Sequence, residues 1–183
     1  MAIYKFITDQ DLDVGMKQYF RDQITEGSAN AHILKTSEGA AVSLIKSKLN
    51  GLYNLALVFP SILEWNGSKS YAIGDFSHKA GKIYKSKTAN TNKNPESEAA
   101  DWTEEDPRDQ LIVVYCVAIT LYFFVESVSP RKISEDIKNA YLTAIEWLED
   151  VKDGKESPAL PLLETGGSND IPHGSNEPLD HYY

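Results

Sequence analysis

The sequence predicts a mainly α fold: a small helical bundle, interrupted by an inserted small antiparallel β domain and followed by an extended C-terminal tail. Three observations carry this. Apolar residues recur at helical spacing in segments on both sides of the chain's middle. The block from Trp65 to Trp102 loses that period and fills with Gly, Ser, Asn, Thr and Lys. From Gly154 onward, one lysine faces five acidic side chains in a Pro-, Gly-, Ser- and Asn-rich stretch that should not fold alone. The expected boundaries are 1–62 and 107–154 for the two halves of the helical domain, 63–106 for the insert and 155–183 for the tail.

The first helix is expected from about Thr8 to Glu26. Thr8 caps it, Asp9 and Asp11 suit the positive end of the helix dipole, and Leu12, Met16, Tyr19, Phe20 and Ile24 form its apolar side. A second helix is expected from about Thr36 to Tyr53, with Ala41, Leu44, Ile45, Leu49 and Leu52 on one face. A short apolar stretch, Leu55 to Phe59, closes at Pro60. Helical text resumes near Pro107. Leu111 to Val125 is apolar nearly all round, which places it at the centre of a bundle or between subunits. Its β-branched residues also suit a buried strand, but its 15-residue length favours a helix. A membrane span needs about 20 such residues, so no membrane partner is expected. Ser129-Pro130 reads as the start of the last helix, with serine as cap and proline at the first position. Ile133, Ile137, Tyr141, Ala144, Ile145, Leu148 and Val151 form its face, and Gly154 stops it.

Composition narrows the function classes. The chain has 183 residues and a net charge of −9, so it carries no basic footprint for wrapping nucleic acid. The opening MAIYKFITDQD lacks the apolar run of a secretory signal. Cys116 is the only cysteine and lies in the apolar run, so it reads as a core residue rather than a nucleophile. His32, His78, His173 and His181 show no metal-ligand spacing. No phosphate-binding glycine loop and no nucleophile turn occurs. Glu146, Glu149 and Asp150 cluster on the last helix, as carboxylates do on any solvated helix face. No catalytic residue, metal or cofactor is expected.

The motifs follow a recognisable order. Thr8-Asp9-Gln10-Asp11-Leu12 opens the chain, and Leu49-x-x-x-Tyr53-x-Leu55-x-Leu57 leads to Pro60. Cys116-x-Ala118-x-x-Leu121-Tyr122 sits in the apolar helix. Tyr141-x-x-Ala144-x-x-Trp147-Leu148 runs on to Gly154. In this order, over roughly Thr8–Pro60 and Pro107–Gly154, the chain resembles the head–tail connector (adaptor) proteins of tailed phages. The Cys116 motif is one residue tighter than the family's, and the block between Pro60 and Pro107 replaces a short connection. The resemblance implies a structural virion protein at the neck, made in the host cytoplasm. It implies a closed homo-oligomeric ring of roughly twelve copies. One side of that ring meets the portal protein and the other a tail or neck protein. DNA passes through the lumen without specific binding, and an acidic wall suits that passage because a basic one would grip phosphates. Leu179, His181, Tyr182 and Tyr183 would anchor the tail on a neighbouring subunit.

The insert carries a second resemblance. Trp65, Tyr71-Ala72-Ile73-Gly74-Asp75, Gly81-Lys82-Ile83-Tyr84, Pro95 and Trp102 are similar to the short chitin-binding type of carbohydrate-binding module, with Phe76-Ser77-His78 departing from its usual run. The resemblance implies a compact three-stranded fold that stacks sugars on exposed rings. Trp65, Tyr71, Tyr84 and Trp102 are therefore candidates to face a surface glycan or a partner. A fold this small also needs aromatic side chains for its own core, so some of the four must be spent there. The alternative function is thus a carbohydrate-binding module carried on a helical scaffold. Six lysines face one acidic residue between Asn66 and Pro95, either as a solvated face or as a contact for an acidic neighbour.

Overall fold

Thr8 and Asp11 start the first helix together. The Thr8 hydroxyl accepts from the Asp11 N–H at 3.2 Å, and the Asp11 carboxylate accepts from the Thr8 N–H at 2.7 Å. This reciprocal cap satisfies two backbone donors that a helix start leaves open. It begins α1, Asp9–Gly15, which buries Leu12. The structure, a computed structural model, describes residues 6–17, 31–130 and 133–164. The expected continuation of the first helix to Glu26, His173 and the tail residues Leu179, His181, Tyr182 and Tyr183 lie outside the described residues.

Helix α2 spans Ala31–Leu49, five residues earlier at its start than the sequence suggests. Thr36 does not cap it; its hydroxyl donates to the His32 carbonyl at 2.9 Å, a bond available inside a helix. The helix ends before Tyr53 because Gly51 takes φ +85°, a left-handed conformation that glycine adopts without strain. A single turn, α3 (Leu55–Val58), follows. Asn54 caps it through its side-chain oxygen, and Phe59 and Pro60 close it.

Asp109 starts α4, Gln110–Val128, by accepting from the Leu111 and Ile112 N–H groups, both at 3.0 Å. Helix α5 spans Glu135–Lys152. Its cap is Ser134, whose hydroxyl accepts from the Ile137 N–H at 3.3 Å. The expected start at Ser129-Pro130 is thus corrected: Ser129 is the C-cap of α4, its N–H bonded to the Val125 carbonyl. Gly154, at φ +74°, terminates α5 as expected.

Helix α4 is the centre of the bundle and packs against α1, α2 and α5. Ile112, Cys116, Ile119 and Phe124 of α4 are fully buried, as are Ala41, Ile45 and Leu49 of α2 and Ala144 and Leu148 of α5. Each such Ile, Leu or Phe side chain contributes about 1.5–3 kcal/mol relative to exposure. Helices α4 and α5 run antiparallel, since Tyr115 meets Trp147 (centroids 4.8 Å apart) while Tyr122 stacks on Tyr141 (4.1 Å). Beyond α5 the chain returns along the end of α2: Asn54 donates to the Pro161 carbonyl, and Leu163 donates to the Leu52 carbonyl. Leu160 is buried in the core beneath this return.

The insert contains six short strands: β1 Leu63–Glu64, β2 Ser70–Tyr71, β3 Phe76–Lys79, β4 Lys82–Ser86, β5 Asn90–Thr91 and β6 Trp102–Glu104. One sheet has the order β1-β3-β4-β6, and β2 pairs separately with β5. Strands β3 and β4 form a hairpin through Ala80 and Gly81, both at positive φ (50° and 79°), the two-residue turn whose twist matches the strands. The wholly antiparallel domain expected from the sequence is corrected in one place. Strand β1 pairs with β3 in parallel, because the chain passes from Glu64 through residues 65–75, which carry β2, before re-entering the sheet in the same direction. Five helices and two small sheets among the described residues make the fold a mixed one, less dominated by helix than the apolar periodicity implies.

Candidate functional site

The insert's four aromatic residues converge, but chiefly on one another. Tyr71, Tyr84 and Trp102 are buried in a separate small core, and Trp65 packs against them half-buried. Tyr71 and Trp102 meet edge to face with centroids 5.0 Å apart, and the Trp102 indole donates to the Lys93 carbonyl at 2.9 Å. The Tyr71 hydroxyl accepts from the Asn66 N–H at 2.8 Å. Burial pushes the Tyr84 phenol above its ordinary pKa. Tyr71, Tyr84 and Trp102 are therefore spent on the insert's own core. Six strands of two to five residues and a few loops cannot exclude water from a core without large flat side chains, and these three supply them. Trp65 is the remaining ring. The Lys79 ammonium lies 4.1 Å from its centroid and covers one of its faces.

The lysines of the insert meet the acidic run that follows them. Lys79 pairs with Glu96, Lys82 with Glu104 and Lys85 with Glu105, while Lys93 lies 3.9 Å from Glu98 and 4.0 Å from Asp101. Lys87 donates to the Ala99 carbonyl, and Lys69 lies over the Tyr71 ring. The local excess of positive charge read along the sequence is thus largely neutralised by the fold.

A buried cation joins the insert to the helices. The Arg108 side chain is 4% exposed and donates to three groups, two in the N-terminal segment and one at the exit of the insert. Its Nη1 reaches the Asp11 carboxylate and the Phe6 carbonyl, both at 2.7 Å. Its Nε and Nη2 hold the Asp106 carboxylate at 2.9 and 2.7 Å. Burial alone would raise the Asp106 pKa, but the hydrogen bonds and charge of Arg108 outweigh it and hold the carboxyl below its ordinary value. Nearby, Glu38 of α2 is buried and accepts from the Ile7 N–H. The α1 cap, the exit of the insert and the entry to α4 are therefore tied at one point. A polar cleft lined by Gln10, Gly81, Lys82, Glu104 and Glu105 opens beside it.

The remaining candidates for chemistry stay apart. Cys116 is buried among apolar side chains; burial first, with Glu38 adding to it, pushes its thiol up to about 12, so it is not a nucleophile at neutral pH. Glu149 pairs with Lys48 and Asp150 with Lys155. His78 lies in β3, where burial lowers its pKa against the opposing effect of Glu64. Among the described residues, no three His, Cys, Asp or Glu side chains are grouped to hold a metal.

An apolar surface lies on the helices. Although α4 is apolar almost all round, only half of it is buried within the fold; by length and composition alone it could cross a membrane. Its side turned away from α2 forms the floor of a groove of about 330 Å³ between α1 and α5. Val113, Val114, Val117, Ala118 and Leu121 line the floor, with Val14 on one wall and Ile137 on the other. Val14 is 85% exposed and Val114 54%. Helical periodicity misses this surface, because α4 has no polar face to mark a solvent side; Val14 is likewise an isolated apolar residue in an acidic turn. Comparison of the chain with protein-family models, with curated proteins and with solved structures returns no significant match.

Proposed function

We propose that the chain is a non-enzymatic structural protein of a tailed-phage neck, a head–tail connector whose copies close into a ring between the portal and the tail. The observation that carries the reading is the apolar side of α4 that no other described residue covers. A contiguous apolar groove with exposed valines is disfavoured in water and marks a surface that another protein covers. The motif positions on which the resemblance rests support it. Thr8 and Asp11 form the α1 cap, Tyr53, Cys116 and Leu148 lie in one core, and Gly154 ends α5. The sequence interval between Pro60 and Pro107 folds as a unit with its own small core, as an insertion into a connector would.

The carbohydrate-binding alternative rests on Trp65 alone, a single half-buried ring with one face already covered. The burial of the other three aromatics favours the assembly reading. Cryo-electron microscopy or native mass spectrometry of the chain mixed with its portal ring tests that reading. A symmetric ring of chains on the portal is expected. A protein that remains monomeric and does not bind the portal overturns it.

A further inference from the structure

We propose that Asn50-Gly51, at the end of α2, is a site of self-modification, where the chain converts Asn50 to aspartate and isoaspartate without an enzyme. The step is a ring closure. The Gly51 backbone nitrogen attacks the Asn50 side-chain amide carbon, the new N–C bond closes a succinimide, and the amide nitrogen leaves as ammonia with the Gly51 proton. Water then opens the ring at one of its two carbonyls. Opening at the side-chain carbonyl gives aspartate. Opening at the main-chain carbonyl gives isoaspartate, in which the backbone runs through the former side chain. Glycine is the residue that best permits this when it follows asparagine, because it has no side chain to shield its nitrogen and leaves the backbone free to turn.

Asparagine precedes glycine twice, at Asn50-Gly51 and Asn66-Gly67. Both asparagines are exposed, so exposure does not separate them. Their bonding does. The Asn66 side-chain oxygen accepts from the Ser68 N–H at 2.8 Å. Its own N–H donates to the Tyr71 hydroxyl at 2.8 Å, and its carbonyl accepts from the Lys69 N–H at 3.0 Å. A Cβ on Gly67 would lie 2.8 Å from the Asn92 side-chain oxygen and 3.3 Å from the Trp65 ring, so that glycine is packed in place. Swinging the Asn66 amide onto the Gly67 nitrogen would break this turn. Asn50 is held differently. Neither its side chain nor the Gly51 N–H has a hydrogen-bond partner among the described residues. A Cβ on Gly51 would meet nothing within 4 Å, which leaves the site open to water. The turn around it closes on the Leu49 carbonyl, which accepts from the Leu52 and Tyr53 N–H groups at 3.2 Å each, and helix ends of this kind fray.

The product falls where the fold is sensitive to it. Aspartate at position 50 puts a negative charge just beyond the C-terminal end of α2, the end whose dipole disfavours it. Isoaspartate adds a methylene to the backbone ahead of buried Tyr53 and of the Leu52 carbonyl that receives the Leu163 N–H. Conversion therefore loosens the contact by which the chain returns along α2.

Incubation of the full-length chain at neutral pH, followed over time by peptide mapping with mass spectrometry, tests this. In the folded protein Asn50 should convert about tenfold faster than Asn66, a factor set by the hydrogen bond that Asn66 must give up. In urea, where both pairs are released, the two rates should converge. Hydrogen exchange of the Leu163 amide should be faster in the aged protein than in the fresh. Asn50→Gln, whose longer side chain closes its ring far more slowly, should keep the fresh exchange rate on ageing. An Asn50 that stays unconverted, or that converts no faster than Asn66 in the folded chain, overturns the inference. An advantage of Asn50 that persists in urea overturns its structural basis, and Leu163 exchange unchanged by ageing overturns the link to the returning chain.

Discussion

Arg108 shows how one side chain can hold the N-terminal segment to the exit of the insert. Its guanidinium is removed from water, which is costly, and it is compensated by two carboxylates and a backbone carbonyl at hydrogen-bond distance. Arg108→Met should lower stability by about 3 kcal/mol in urea denaturation, because it leaves Asp11 and Asp106 facing each other without a cation. The pH dependence has a defined sign. The Asp106 pKa is lower in the folded state than in the unfolded chain. Its stabilising contribution is therefore present above the ordinary carboxylate value of about 3.9 and is lost as pH falls through the folded value. Wild-type stability should fall on acidification below about pH 5, and the Arg108→Met variant should show a shallower fall over the same window. A variant with the wild-type slope would show that the ion pair does not contribute to it. Nothing in the local sequence marks Arg108 as buried: it sits among charged residues ahead of a helix, where an arginine is ordinarily solvated.

At the scale of elements, the existence of the helices was legible and their ends were less so. The period of Ala41, Ile45 and Leu49, and of Ala144, Leu148 and Val151, places α2 and α5 with the correct buried face. Ends depend on which of several competent polar residues reaches a free N–H. Ser129-Pro130 and Ser134 both resemble starts, but only Ser134 is shown capping α5. Ser134→Ala should therefore cost about 1 kcal/mol in thermal or urea unfolding, and an unchanged midpoint would remove Ser134 from that role. The Ala80-Gly81 pair and the alternation of Lys82-Ile83-Tyr84-Lys85 are local signals of a turn and a strand, whereas the β1–β3 pairing has none. Its two residues acquire strand geometry only from their neighbour, and no local pattern records a parallel partner.

For the whole molecule, the two helical halves form one core across the insert. Phe6, Leu12, Ala41, Ile45, Cys116 and Leu148 belong to a single cluster, although the whole insert lies between Ile45 and Cys116 in the sequence. The insert keeps a separate small core around Trp102 and meets the helical domain at the Arg108 tie and the Gln10–Gly81 approach. The segment after Glu164 is the remaining assembly candidate, through Leu179, His181, Tyr182 and Tyr183. Deleting residues from 166 onward should weaken ring formation on the portal while leaving the helical circular dichroism intact, since Leu160 and the Leu163–Leu52 hydrogen bond are retained. Undiminished assembly would make that segment dispensable.

The amino-acid order alone was enough to divide the chain into helical halves, an aromatic insert and a polar end, because periodicity and turn residues act over a few positions. It also identified the four aromatics that meet in the insert. It could not apportion them between core and surface, since a tryptophan serves either use, and burial depends on which strands close around it. Nor could it separate the covered side of α4 from the open one. A helix apolar all round has no internal marker of orientation, so the groove emerged only when α1, α2 and α5 had taken their places around it.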